Sequence, residues 1–133
     1  MLEKTLVLIK PDAVQRNLIG KILNEYERNG LRIADMKMMT ASVETAEKHY
    51  AEHKERPFFG ELVSYITSSP LVAFVVEGEN AISRVRALNG ATNPEESGDN
   101  TIRALYGISL SENTVHSSDS PESAEREIAI WFE

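Results

Sequence analysis

The feature that most limits the fold of this chain is the apolar run Leu71 to Val76, which opens directly after Ser68-Ser69-Pro70. A membrane-spanning helix needs about 20 such residues, so a run this short belongs in a folded core, and its length and boundary indicate a central β-strand. Thr5 to Ile9 is a second short branched run, closed by Lys10-Pro11 where proline ends pairing. Between them, Ile19, Ile22, Leu23 and Tyr26 recur at helical spacing with Gly30 as the stop, and Asp12 with Gln15 resembles a capping pair. Leu31 to Thr40 alternates around Leu31, Ile33 and the methionines as another strand. Thr45–Glu55 and Phe59–Thr67 carry helical patterns, as does Asn80–Leu88 through Ile82, Val85 and Leu88. Asn89 to Thr101 is a long polar surface loop, and Thr114 to His116 begins the last strand. The order β, α, β, helical pair, β, α, loop, β, α predicts an α+β chain of split βαβ units. Its expected architecture is ferredoxin-like, a four-stranded antiparallel sheet with helices packed on one face.

The 133 residues suffice for one core, so a single domain over 1–133 is expected. There is no cysteine, which excludes a disulfide framework and thiol chemistry and fits a reducing cytosol. A formal net charge of -7 argues against a general nucleic-acid binder but leaves room for a small anionic ligand, which needs only a few local cations. No signal-peptide pattern opens the chain, so a soluble, cytoplasmic protein is expected.

The chemistry concentrates in Asn113-Thr114-Val115-His116-Ser117-Ser118-Asp119-Ser120-Pro121-Glu122 and the helix that follows. Ser120 and Pro121 form an N-cap with proline at the first helical position, so His116 stands where strand gives way to helix. The helix carries its apolar side on Ala124, Ile128, Trp131 and Phe132, with Glu127 at the edge of that stripe. If the helix packs back on the strand, Glu127 reaches one imidazole nitrogen of His116 and leaves the other nucleophilic.

Further candidates surround this pair. Lys10 ends the first strand, where side chains commonly point into a site. His49-Tyr50-Ala51-Glu52-His53 matches the H-x-x-E-H pattern of inverted zinc proteases, with two histidines four apart. That function is rejected because no third ligand follows on a matching helix, leaving a solvent-edge histidine pair that flanks a packed Tyr50. In Arg56-Pro57-Phe58-Phe59, one aromatic can face inward from the next helix and the other can serve as an exposed stacking platform. Arg86, Thr92 and Arg103 join Lys10 in supplying the cations and hydroxyl that a di- or triphosphate requires. No Walker-type glycine loop is present, so phosphate binding falls to side chains and bound metal.

Taken with Ile9-Lys10-Pro11-Asp12, Arg56-Pro57-Phe58-Phe59 and Gly90-Ala91-Thr92-Asn93-Pro94, the His116–Asp119 and Glu127 arrangement resembles the nucleoside diphosphate kinase family from Thr5 to Phe132. The resemblance implies ping-pong transfer of the γ-phosphoryl group from a nucleoside triphosphate to a nucleoside diphosphate through phosphorylated His116. It implies a Tyr50 hydroxyl near His116, base stacking on Phe58 with Phe59 packed, and phosphate contacts from Lys10, Arg86, Thr92 and Arg103. Asn113 would bond the ribose and the histidine region, and Mg2+ would be held mainly by the phosphates with no protein metal site. It also implies a homo-oligomer, tetramer or hexamer, and no dedicated nucleic-acid site. Three departures stand out. Ser117 replaces the glycine usual after the histidine, Leu105 replaces an aspartate and removes a loop salt bridge, and the chain stops at Glu133 where many relatives continue. Two other functions share part of this pattern. A phosphohistidine carrier would need His116 without the nucleotide-binding set, and a single-strand nucleic-acid module would need more aromatics than Phe74 on the central strands.

Overall fold

The computed structural model describes residues 2–91, 101–107 and 114–132. In chain order the elements are β1 (Leu2–Ile9), α1 (Pro11–Gln15), α2 (Ile19–Glu27), β2 (Arg32–Met39), α3 (Val43–His49), a 3-10 turn (Ala51–His53), α4 (Phe59–Ile66), β3 (Leu71–Glu79), α5 (Ala81–Asn89), α6 (Ile102–Tyr106), β4 (Val115–Ser117) and α7 (Pro121–Phe132). All neighbouring strands pair antiparallel, in the order β2-β3-β1-β4, which is the expected four-stranded sheet.

The continuous apolar runs of β1 and β3 occupy the two central positions. Alternation sends Val7, Ile9, Val72, Phe74 and Val76 to one face, and Leu6, Leu8, Leu71 and Ala73 to the other, all of them buried. Each face therefore has its own helical layer, which corrects the expectation of helices on one face only. A strand apolar at every position presents apolar surface on both sides, and both need cover. On the first face, α1, α2, α5 and α6 supply Ala13, Ile22, Tyr26, Val85 and Ile102. On the second, α3, α4 and α7 supply Ala46, Val63, Ile66 and Trp131, with Tyr50 beside them. Paired residues share a face, so His116 opposite Leu8 rises among α3, α4 and α7, while Ser117 opposite Val7 faces the other layer.

Four local expectations are corrected. Asp12 does not cap a helix: Lys10 holds the N-cap position without a side-chain bond, and Asp12 lies buried in the first turn. Its carboxylate accepts a short hydrogen bond from the Tyr65 hydroxyl and one of 3.4 Å from the Thr114 hydroxyl, clamping α1 to α4 and to the approach of β4. The first helical stretch is two helices, broken at Asn17, whose φ is 61°. A bulge between Ile33 and Asp35 interrupts the alternation of β2, and on this edge strand Met36 and Met38 are largely exposed. The helix expected to reach Glu55 ends at His49. Residues 51–55 carry no large apolar side chain to pack, and Pro57 disfavours helix just before it. The short α6 was not foreseen, and most of the loop expected before it lies outside the described residues.

Ser117 lies in β4 at negative φ, since the described non-glycine residues at positive φ are Asn17, Asn80 and Thr114. Its strand therefore holds a serine without strain. Ser117→Gly is expected to destabilise the protein by about 0.4 to 1 kcal/mol, because glycine adds freedom to the unfolded chain. A denaturant titration reads this as a lower midpoint at unchanged slope, and a higher midpoint would contradict it.

Candidate active site

The site forms where β4 meets β1 and α7 packs across them. Ser120 caps α7, its hydroxyl accepting from the Ser123 backbone N–H at 3.1 Å, and Pro121 starts the helix as the sequence predicts. One face of α7 buries Ala124, Glu127 and Trp131 together. Glu127 is thus carried into the second core, where its carboxylate meets His116: Nε2 and Oε1 are 2.7 Å apart. Ser118, two residues on from His116, donates its hydroxyl to the same oxygen at 2.9 Å. Arg126 stands 3.6 Å from the second oxygen. With Nε2–H donating to Glu127, the neutral imidazole has its lone pair on Nδ1.

A cationic cleft opens beside this ring, lined by Lys10, Arg86, Arg103, His116, Ser117 and Asp119, with His53 at its edge. Lys10 is buried at the end of β1, its backbone N–H donating to the Thr114 carbonyl at 2.8 Å. Burial, helped by Arg103 and opposed by Asp12, lowers its ammonium to about 8. Arg103 donates to the Gly90 carbonyl at 2.9 Å and the Val115 carbonyl at 2.7 Å, tying α6 to the end of α5 and to β4. Its Nε is buried without a partner among the described residues. Arg86 is exposed on the last turn of α5. Among the described residues Asp119 is the one carboxylate that lines this cleft, held below the usual range by the Ser123 hydroxyl. Three cations against one carboxylate do not make a protein cage for a hard divalent metal, but they suit phosphates that bring the metal with them.

The other predicted residues are placed as follows. Tyr50 is buried at the end of α3 and lines the same recess as His116 and Glu127; burial, with Glu127 nearby, raises its phenol above the ordinary range. Phe58 is 42 % exposed at the start of α4, its ring 5.7 Å from that of His53, whereas Phe59 packs on the second core. Leu105 is half-exposed on α6. Thr92 and Asn113 lie outside the described residues.

Sequence reasoning missed His49 and Ser118. His49 is not at a solvent edge: it is 4 % exposed, and its Nδ1 accepts from the Trp131 indole N–H at 3.1 Å. Because α3 stops there, His49 and the exposed His53 do not share a helical face. The signals were present, since His49 lies three residues after the buried Ala46, and Ser118 lies two after His116 and so returns to its side of the strand.

A histidine with one nitrogen fixed by a buried carboxylate and the other beside a cationic cleft is the equipment of a phosphotransferase, set here on an α+β sheet. A family model described as nucleoside diphosphate kinase matches residues 3–133. The nucleoside diphosphate kinase of Clostridium perfringens is 60 % identical over 98 % of this chain and 92 % of its own length. That of Archaeoglobus fulgidus is 56 % identical over 98 % and 87 %. A crystal structure of the Aquifex aeolicus nucleoside diphosphate kinase superposes with a TM-score of 0.97 at 45 % identity, covering 100 % of this chain and 96 % of that one. The chain belongs to the nucleoside diphosphate kinase family. It is therefore a phosphotransferase that acts on nucleotides, in a family that uses a divalent metal.

The lowered Lys10 pKa yields a testable pH dependence. If a bound phosphate meets Lys10, it stabilises the protonated ammonium and raises its pKa, so affinity is expected to be highest where Lys10 is protonated and to decline as pH rises through about 8. The last phosphate proton, with a pKa of about 6, is already lost in that range. Calorimetric titration of a nucleoside triphosphate analogue from pH 7 to 9 is expected to show weakening in the wild type and a flat profile in Lys10→Met.

Proposed function

We propose that His116 accepts the γ-phosphoryl group of a nucleoside triphosphate on Nδ1 and passes it to a nucleoside diphosphate. The observation that carries this reading is the 2.7 Å contact between His116 Nε2 and Glu127, which leaves Nδ1 beside the cationic cleft. In the first half-reaction the Nδ1 lone pair forms the N–P bond as the bond from phosphorus to the β–γ bridging oxygen breaks, and the diphosphate leaves with that electron pair. Nε2 keeps its proton, and Glu127 balances the positive charge developing on the ring. In the second half-reaction a terminal oxygen of the acceptor diphosphate attacks phosphorus, and the N–P electrons return to Nδ1.

Lys10, Arg86 and Arg103 hold the phosphates, joined by Thr92. Phe58 stacks on the base, which suits indifference to the nucleobase because every base has a π-face. Tyr50 helps shape the recess, and Asn113 bonds the ribose and the histidine region. The metal is Mg2+, carried on the phosphates, and the chemistry it supplies there when bound is charge neutralisation. We assign the activity to a single domain over 1–133 that works in the cytoplasm as a homo-oligomer, tetramer or hexamer. Among the described residues no helix is long and apolar enough to cross a membrane, and the exposed Met36 and Met38 on the edge strand β2 offer a surface for a second subunit.

Incubation with γ-labelled ATP tests the assignment. An acid-labile, base-stable label is expected on wild type, discharged by any nucleoside diphosphate, and absent from His116→Ala. Label retained in that variant would remove His116 from the reaction. Glu127→Ala should fold yet transfer the phosphoryl group about 100-fold more slowly, by loss of an orienting partner. Phe58→Ala should weaken binding of purine and pyrimidine nucleotides alike by about 1 to 3 kcal/mol.

A further inference from the structure

The bond from Glu127 holds His116 at Nε2, and with the ring attached to the chain at Cγ the freedom that this bond leaves is rotation of the ring plane about the axis through those two atoms. The second restraint is His49. Its ring stands nearly perpendicular to that of His116, at 79°, with centroids 4.5 Å apart. His49 is itself fixed from two further sides, by Tyr50 at 4.8 Å and by Trp131 at 5.6 Å, both near-perpendicular. The indole N–H can only donate, so the nitrogen it meets, Nδ1 of His49, must carry the lone pair, and the neutral ring keeps its proton on Nε2.

We propose that His49, its tautomer set by Trp131, is a positioning residue that holds the plane of the His116 imidazole so that Nδ1 faces the cleft. This rests on the reading of His116 as the phosphoacceptor. It explains why an imidazole stands in a core position where a hydrocarbon side chain would pack more cheaply: the ring must present a fixed edge, and a fixed edge needs a bonded nitrogen. Burial, with His116, Lys10, Arg126 and His53 around it, keeps His49 neutral well below the ordinary histidine range, so no second positive charge forms beside His116.

A metal role for the same residues fits less well. His49, His116 and Glu127 offer ligand atoms within 4.8 Å of one another. A metal at His49 Nε2 would require that nitrogen to surrender its proton to Nδ1, where the Trp131 N–H already stands.

The test uses the full chain carrying His49→Phe, which keeps the ring and loses the acceptor, and His49→Gln, which keeps an acceptor and loses the ring. Each is expected to slow formation of the phosphoenzyme by about tenfold or more while KM for ATP stays within about a factor of two, because the groups assigned to the nucleotide are untouched. Long-range proton–nitrogen spectra should show His116 with Nε2–H and Nδ1 bare in the wild type and in both variants, because Glu127 sets that tautomer, while the His116 ring signals are sharp in the wild type and broadened by exchange between ring orientations in the variants. Wild-type rates with sharp His116 ring signals in a folded variant would overturn the proposal, leaving His49 as core packing. If His49→Phe does not fold, His49→Gln decides alone. Mass spectrometry of the phosphoenzyme keeps the underlying assignment separate: a phosphoryl group on another residue in the wild type would overturn the reading of His116 itself.

Discussion

A buried carboxylate is costly unless its charge is met, and Glu127 meets that condition between His116, Ser118 and Arg126. The same helix face that buries Ala124 and Trp131 carries Glu127, so docking α7 on the sheet and orienting the imidazole are a single event. Packing energy from the apolar neighbours offsets the desolvation of the carboxylate, and the hydrogen bonds then fix the register of helix on strand. The site is therefore a consequence of the core, and a change that loosens α7 acts on the histidine as well.

Around the ring the electrostatics divide by face. On the side of the second core, His49 and Tyr50 are held uncharged by burial. Toward the cleft, Lys10 and Arg103 are cations kept partly out of water, Lys10 made easier to deprotonate by that burial and by Arg103. Such an arrangement is unfavourable on its own and suits an anion, so the proposed polyphosphate site is compatible with a net charge of -7.

The backbone contributes a third constraint at Thr114, fully buried with φ 81°, a conformation rarely adopted by a β-branched residue. The cost, of order 1 to 3 kcal/mol, is met by bonds on both sides of the residue. Its carbonyl accepts from the Lys10 N–H, and its hydroxyl donates to Asp12, which Tyr65 also holds. The turn that delivers β4, and with it His116, is thereby tied to the end of β1 that delivers Lys10.

Much of this was legible in the chain because it is local or periodic. The apolar runs of β1 and β3, the Ser120-Pro121 helix start and the stripe placing Glu127 beside Trp131 depend on near neighbours, and secondary structure obeys near neighbours. The exposure of Phe58 beside the packed Phe59 follows from a helix having one inner face. What the tertiary structure decided are the contacts between elements distant in sequence. That both sheet faces are covered depends on which helices cross over, and the clamp of Asp12 on Tyr65 joins residues 53 positions apart. The contact of Trp131 with His49 spans 82 positions, so no window of sequence contains both rings. His49 looked like half of a surface pair because its partners are supplied by α7 and β4, and only their packing turns a helix-end histidine into part of the site.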